Sequence, residues 1–366
     1  MRPTVCLNMI VKNEAANIER CLASIAPVIG AWVIGDTGST DDTPERIARL
    51  FSARGIPGEL HRFPFVNFGE ARNEALDRCR RSSLAFEYIL FADADMELVI
   101  GDRTCLERLS AAAYYVQQRN VVSYDNLRLL RRDAEARYVG VTHEYLDVRG
   151  DKGRLTDIWY IDHAIGSNRV GKFERDARLL EEDLVRDPNN PRNVFYLAQS
   201  YRDAGQPEKA REAYRRRAAM PGWDEETWYS LYEIGRLSER LGAPPAEVQG
   251  AYLAAYQFRP QRAEPLYQLA RYHRERREFA LALLFARQAA AISRPADLLF
   301  VDDAVYQWRN LDELSVAASW AGALSEGRQA IDRLIAGGNL PASERPRVED
   351  NLRFYLKSSG RGEPRQ

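Results

Sequence analysis

Two kinds of hydrophobic pattern divide this chain. In the first half, short apolar runs alternate with stretches of helical spacing, whereas from Lys172 onward only the helical spacing is left. The run that starts at Thr4 passes through Lys12, Asn13 and Glu14 and is followed by Ile18, Cys21, Leu22 and Ile25, apolar positions three and four apart. That pattern predicts a strand and then a helix. A second unit predicts a strand at Ala31 to Ile34, a turn-rich loop from Gly35 to Thr43 reading GDTGSTDDT, and a helix from Pro44 to Phe51. The loop's Ser, Thr and Asp residues are natural helix caps, and proline suits a first helical turn. A third unit joins a strand at Gly58 to Phe63 to a helix beginning near Gly69 in FGEARNEAL. Tyr88 to Phe91 is a short apolar run bounded by polar residues, as in a buried parallel strand. Strands alternating with helices predict a parallel sheet with right-handed crossovers.

The second half has an Ala, Leu, Glu, Arg and aromatic composition. The change predicts a boundary near Lys172 to Asp176, hence domains at residues 1–172 and 173–366. Segments beginning at Asn193, Thr227 and Glu264 each hold an aromatic-rich helix, a turn and a second helix with small residues, at a period in roughly the mid-thirties. They resemble tetratricopeptide repeats. Ala198, Ala210 and Ala213 allow close helix approach, and Tyr196, Tyr201 and Tyr214 fill the gaps between successive pairs. Asp302 to Ile335 reads as a degenerate fourth pair with Trp308 and Trp320, and Pro346 to Leu356 as a capping helix. No such unit buries its face alone, so stacking is required. The resulting surface has two uses to choose between: holding an extended peptide or protein, or bracing the first domain and pairing two subunits as a homodimer.

Composition narrows the classes. A chain of 366 residues holds two cores, and a formal net charge of −1 argues against nucleic acid as principal partner. Arg215 to Arg217 reads as a solvated helix face. Cys6, Cys21, Cys79 and Cys105 lack metal-binding spacing and fit reduced core thiols of a cytoplasmic protein. No apolar run approaches the roughly 20 residues that span a bilayer, and no targeting segment is legible.

The candidate chemistry starts at Asp93 and Asp95 in FADADMEL, directly after the Tyr88 to Phe91 run. Ligands of parallel sheets collect where strands end. Two acids at this spacing face one hard divalent cation carrying substrate phosphates, unless they are simply solvated acids opening a loop. Asp36 lies at another strand end, where with Ser39 it also suits an Asx turn. Arg72 has a plain alternative as a solvated helix arginine.

The order KNE, DTGSTDDT, FGEARNEAL and FADADMEL is similar to the family 2 glycosyltransferases of the GT-A fold, over about residues 4 to 170. The resemblance implies a Rossmann-like, mostly parallel α/β domain with a nucleotide-sugar site along the strand ends, followed here by the all-α repeat domain. It maps Asp36 onto the acid that bonds the uracil imide and Arg72 with Asn73 onto the pair near ribose and diphosphate. Asp93 falls near the ribose or sugar, and Asp95 on the direct ligand of Mn²⁺ or Mg²⁺. The later strings YDNLRLLRR, RYVGVTHEYLDV and IWYIDHAIGSNR supply Glu144 as base and His163 as second metal ligand. His143, beside Glu144, reads equally as base, orienter or satisfied structural histidine. The Glu-Asp pair more common for the base is absent. The resemblance thus implies a metal-dependent, inverting transfer from a nucleoside-diphosphate sugar, UDP-linked, to an acceptor for which a peptide or protein is the leading candidate. The rival reading is a non-catalytic repeat scaffold with a relic sugar-nucleotide fold.

Overall fold

The computed structural model describes residues 4–120, 123–163, 165 and 171–359. The chain forms two compact units, Met1–Arg186 and Asp187–Gln366. In the first, β1 (Val5–Val11), α1 (Ile18–Ile25), β2 (Ala31–Asp36), α2 (Thr43–Ala53), β3 (Gly58–Arg62), α3 (Phe68–Arg81) and β4 (Tyr88–Phe91) follow one another as alternating elements. Then come β5 (Met96–Ile100), β6 (Ala113–Arg119), β7 (Ser123–Arg131), β8 (Ala136–Val139), β9 (Tyr145–Val148), β10 (Lys152–Asp162) and α4 (Lys172–Arg186). The helix α4, which follows the compositional boundary, belongs to this unit.

One eight-stranded sheet runs in the order β3-β2-β1-β4-β7-β6-β10-β5, and β8 pairs with β9 apart from it. The wing β3-β2-β1-β4 is parallel throughout. Beyond β4 the sheet is mixed: β7 runs antiparallel to β4 and β6, β10 parallel to β6 and antiparallel to β5. The physical reason lies in the connections. β6 and β7 are too close in sequence for a crossover helix, which parallel neighbours need.

Period-two alternation sorts the β1 side chains onto two faces. Leu7, Met9 and Val11 pack with Ile18, Cys21, Leu22 and Ile25 of α1, while Cys6 packs opposite with Leu76 and Cys79 of α3. Because β1, β2, β3 and β4 are parallel, Val11, Asp36, Arg62 and Phe91 finish at the same edge. The strand order reverses at β1, with β2 on one side and β4 on the other, which is where such sheets place ligands. Cys6, Cys21 and Cys79 are buried, Cys105 partly so, and all are free thiols.

The second unit is a stack of helical hairpins: α5 (Pro191–Asp203) with α6 (Pro207–Ala218), α7 (Asp224–Arg240) with α8 (Pro245–Phe258), and α9 (Glu264–Glu275) with α10 (Phe279–Ala291). A fourth pair, α11 (Asn310–Trp320) with α12 (Leu324–Ala336), is followed by α13 (Arg345–Ser359). These hairpins coincide with the repeats read from the sequence. Ala198, Ala210, Tyr214, Trp228 and Tyr252 are fully buried between successive helices. At Gly235 an added Cβ would lie 2.6 Å from the Tyr252 ring, so glycine sets the approach of α7 to α8. Among the described residues no helix is long and apolar enough to cross a membrane.

Candidate active site

The strand ends of the first unit carry two loops stitched to each other. Asn13, at φ 55°, donates its amide to Ser39 Oγ at 3.0 Å and accepts the Thr40 amide at 2.7 Å on its side chain. Thr43 Oγ1 accepts the Glu14 amide at 2.8 Å, and Asp41 Oδ1 accepts the Thr43 amide at 3.1 Å. The Ser, Thr and Asp content of GDTGSTDDT therefore builds the rim, and Asp41 caps α2 where the neighbouring Asp42 makes no capping bond.

Asp36 is fully buried at the end of β2. Its Oδ1 accepts the amides of Gly38 and Ser39 at 3.3 and 2.9 Å, an Asx turn. Oδ2 lies 3.1 Å from Arg62 Nε as an ion pair, at an angle that makes no hydrogen bond.

A cavity of about 430 Å³ opens beside this rim, and its wall includes Lys12, Glu14, Thr37, Phe68, Arg72, Asp93 and Asp95, with Gln118, Tyr124, Arg128, Asp162, Lys172 and Arg175. Arg72 stands on α3, whose start is fixed locally. Asn67 accepts the Glu70 amide at 2.8 Å and donates to the Glu70 carboxylate at 2.9 Å, a reciprocal cap. The Phe68 amide then bonds Val141 O at 3.0 Å. That contact brings the β8–β9 turn onto the helix, and an added Cβ at Gly69 would sit 2.2 Å from Gly140 O, so only glycine admits it.

The docked turn carries Glu144 to Arg72. Arg72 Nε donates to Glu144 Oε1 at 2.6 Å, and Nη2 donates to Asp93 Oδ1 at 2.6 Å. The other Asp93 oxygen accepts Arg128 Nη2 at 3.0 Å. Burial disfavours charge on Asp93, but Arg72 and Arg128 outweigh it and hold the carboxyl well below the usual carboxylate range. Burial likewise opposes charge on both arginines, and Asp93, joined by Glu144 at Arg72, raises both above their ordinary value.

On the far side of the loop, β5 and β10 pair antiparallel with Met96 opposite Asp162. The same register sets His163 opposite Asp95, and the His163 amide donates to Asp95 O at 3.3 Å. His163 Nε2 lies 3.0 Å from Glu97 Oε2. Among the described residues no three His, Cys, Asp or Glu side chains group as a metal-binding set.

Of the residues singled out from sequence, Arg72, Asp93 and Asp95 line the cavity; Glu144 joins it through Arg72, His163 through Asp95, and Asp36 through its neighbour Thr37. Asn73 is turned elsewhere. Its side chain pairs both ways with the Tyr138 main chain, at 2.9 and 2.8 Å, and lines a different cavity beside Glu70 and Arg137. His143 is exposed at φ 49° in the β8–β9 turn. Arg128, Gln118, Tyr124, Lys172 and Arg175 were not anticipated. For Arg128 a signal exists: it is a charged residue set among Leu127, Leu129 and Leu130, and it is buried there.

A family model described as glycosyl transferase family 2 matches residues 6–180. A TPR repeat-containing protein of Synechococcus elongatus is 30% identical over 315 residues, covering 78% of this chain and 75% of that protein. The SPbeta prophage-derived glycosyltransferase SunS of Bacillus subtilis is 24% identical over 214 residues, 53% of this chain and 48% of that one. Among solved structures, the crystal structure of MamA protein aligns with a TM-score of 0.38 at 18% identity, over 46% of this chain and 85% of that one.

Proposed function

The chain belongs to glycosyl transferase family 2 with a tetratricopeptide-type tail, and from that premise we propose a metal-dependent, inverting glycosyltransferase that uses a nucleoside-diphosphate sugar, UDP-linked, as donor. The observation that carries the reading is the convergence of Arg72, Asp93 and Asp95 on one cavity, with Glu144 and His163 bonded directly to members of that set.

In this reading the buried Asp36 offers Oδ2, which makes no hydrogen bond among the described residues, to the imide N–H of the base. Lys12, Arg72, Lys172 and Arg175 surround the space for the diphosphate. The residues at the sheet edge fit a hard divalent cation. Asp95 gives a carboxylate, His163 an imidazole held through Nε2 by Glu97, and a second carboxylate behind a histidine is the usual support for a metal ligand. Asp95 and His163 would hold Mn²⁺ or Mg²⁺ as a partial set, completed by phosphate oxygens and water. When bound, the ion supplies neutralisation of the charge that builds on the departing phosphate.

Glu144 is the base. It is mostly buried, oriented by Arg72 at 2.6 Å, and takes the proton of the acceptor nucleophile. The acceptor is proposed to be a peptide or protein, on the support of the repeat unit, whose hairpins form a stacking array suited to extended partners. A thermal-shift panel of nucleotide sugars, with and without manganese, tests this function, since a ligand specific to the native state raises its stability. UDP-sugars should stabilise the protein only with the metal present. Indifference to every nucleotide sugar in both conditions would refute the proposal.

A further inference from the structure

The cleft holds an ion chain that the family resemblance did not lead one to expect. Glu144, Arg72, Asp93 and Arg128 are linked in that order by contacts of 2.6, 2.6 and 3.0 Å. Their side chains are only 12, 15, 28 and 10% exposed, so the charges sit largely out of water. Arg128 reaches Asp93 by register: β4 and β7 pair Leu90 with Leu129, which sets Arg128 beside the end of β4. Gln118 of β6 then steadies the guanidinium, its Oε1 accepting Nε at 3.3 Å and Nη2 at 2.9 Å.

Asp93 therefore spends each oxygen on a different arginine. So occupied, it holds two like charges side by side on the cavity wall. Among the described residues, the Nη1 of Arg72 and the Nη1 of Arg128 make no hydrogen bond to the protein. Both residues line the cavity.

We infer that Arg128, paired with Arg72 through Asp93, binds the phosphate of the donor that departs in the reaction. The inference rests on reading the cleft as a nucleotide-sugar site, and it gives Asp93 the role of anchor in a two-guanidinium clamp. Two arginines present more donors in a fixed geometry than two lysines could, which suits phosphate oxygens.

The chain of contacts also couples the two ends of the reaction. At rest its two guanidiniums are balanced by its two carboxylates. On transfer, the acceptor's proton passes to Glu144, the acceptor's lone pair forms the new bond to the anomeric carbon, and the pair of the breaking carbon–oxygen bond goes to the phosphate. Glu144 becomes neutral as the phosphate gains a negative charge. The clamp is left with one unbalanced positive charge at the moment and place where the leaving group needs it.

Calorimetry of the full-length protein in Mn²⁺ tests this, with UDP as ligand and uridine, followed by ligand-observed NMR, as the probe that lacks phosphate. Arg128→Gln should weaken UDP about 10- to 100-fold, the range of a lost charge-assisted hydrogen bond, and leave uridine unchanged. Arg128→Lys, which keeps the charge, should regain part of the UDP loss. Unchanged UDP affinity in Arg128→Gln, or equal losses for UDP and uridine in both variants, would overturn the clamp while leaving the donor site standing. A wild-type protein that binds no UDP would instead remove the nucleotide-sugar reading, and the clamp with it.

Discussion

Asp95 and His163 stand opposite each other one residue beyond the paired ends of the antiparallel strands β5 and β10, joined by a main-chain bond of 3.3 Å from the His163 amide to Asp95 O. Residues 68 positions apart are thereby fixed as neighbours by sheet register rather than by a flexible loop. If the two share a cation, Glu97 is the carboxylate that orients the imidazole, at 3.0 Å from Nε2. Glu97→Gln should then lower Mn²⁺ affinity by about 10- to 100-fold, as lost support of a metal-bound histidine does. Manganese titration followed by electron paramagnetic resonance reads this, and an unchanged affinity would remove His163 from the metal shell.

Glu144 makes the second case. Glutamine keeps its shape and an acceptor oxygen for Arg72 but cannot take a proton. Glu144→Gln should bind donor normally and turn over about 10²- to 10⁴-fold more slowly, the usual loss for a missing base. Near-normal turnover would transfer the role to another residue, with the adjacent His143 the first to examine.

Glycine at position 69 is a steric requirement of the same machinery. Gly69→Ala would press a methyl against Gly140 O at 2.2 Å, so the β8–β9 turn must retreat from α3. Overpacking of this kind costs about 1–3 kcal/mol, readable in thermal unfolding. Because the turn carries Glu144, kcat should fall by about 10²-fold as well, the scale of a small misplacement of a catalytic group. Wild-type stability with wild-type kcat would show that the turn is not held as described.

One acid-sensitive carboxylate lies in the repeat unit. Asp297 accepts two bonds of 2.6 Å from Arg259 and a third of 3.3 Å from Arg262, and its side chain is 6% exposed. The Arg259 bonds lower its pKa most; burial opposes them and Arg262 adds to them. A depressed carboxyl binds fewer protons in the folded state than in the unfolded one. Its stabilisation is therefore present above the ordinary value of about 4 and is lost as pH falls below it. Asp297→Asn should cost about 1–3 kcal/mol at neutral pH and flatten the dependence of the melting temperature on pH between 5 and 3. Parallel wild-type and variant profiles would contradict the assignment.

Much of this architecture is legible in the sequence because its signals are local. The run Tyr88 to Phe91 is the strand β4, FGEARNEAL opens α3 at Phe68, and the three aromatic-rich repeats are three helical hairpins. What escapes is what depends on pairing across distance. Arg128 is one of several polar residues in β7, and only the β4–β7 register turns it into a partner of Asp93, 35 positions away. The resemblance pairs Asn73 with Arg72, yet its side chain bonds the Tyr138 main chain, for successive helical residues face different ways. The mixed half of the sheet is hidden for the same reason, since strand direction follows from which neighbours pair.

If one pocket at the sheet edge binds a nucleoside diphosphate through a cation held by Asp95, UDP titrated into wild-type and Asp95→Ala protein, each in Mn²⁺ and again in EDTA, will reveal it. Tight binding only for wild type with manganese is the predicted result. Equal affinity in all four titrations, or none in any, would contradict it.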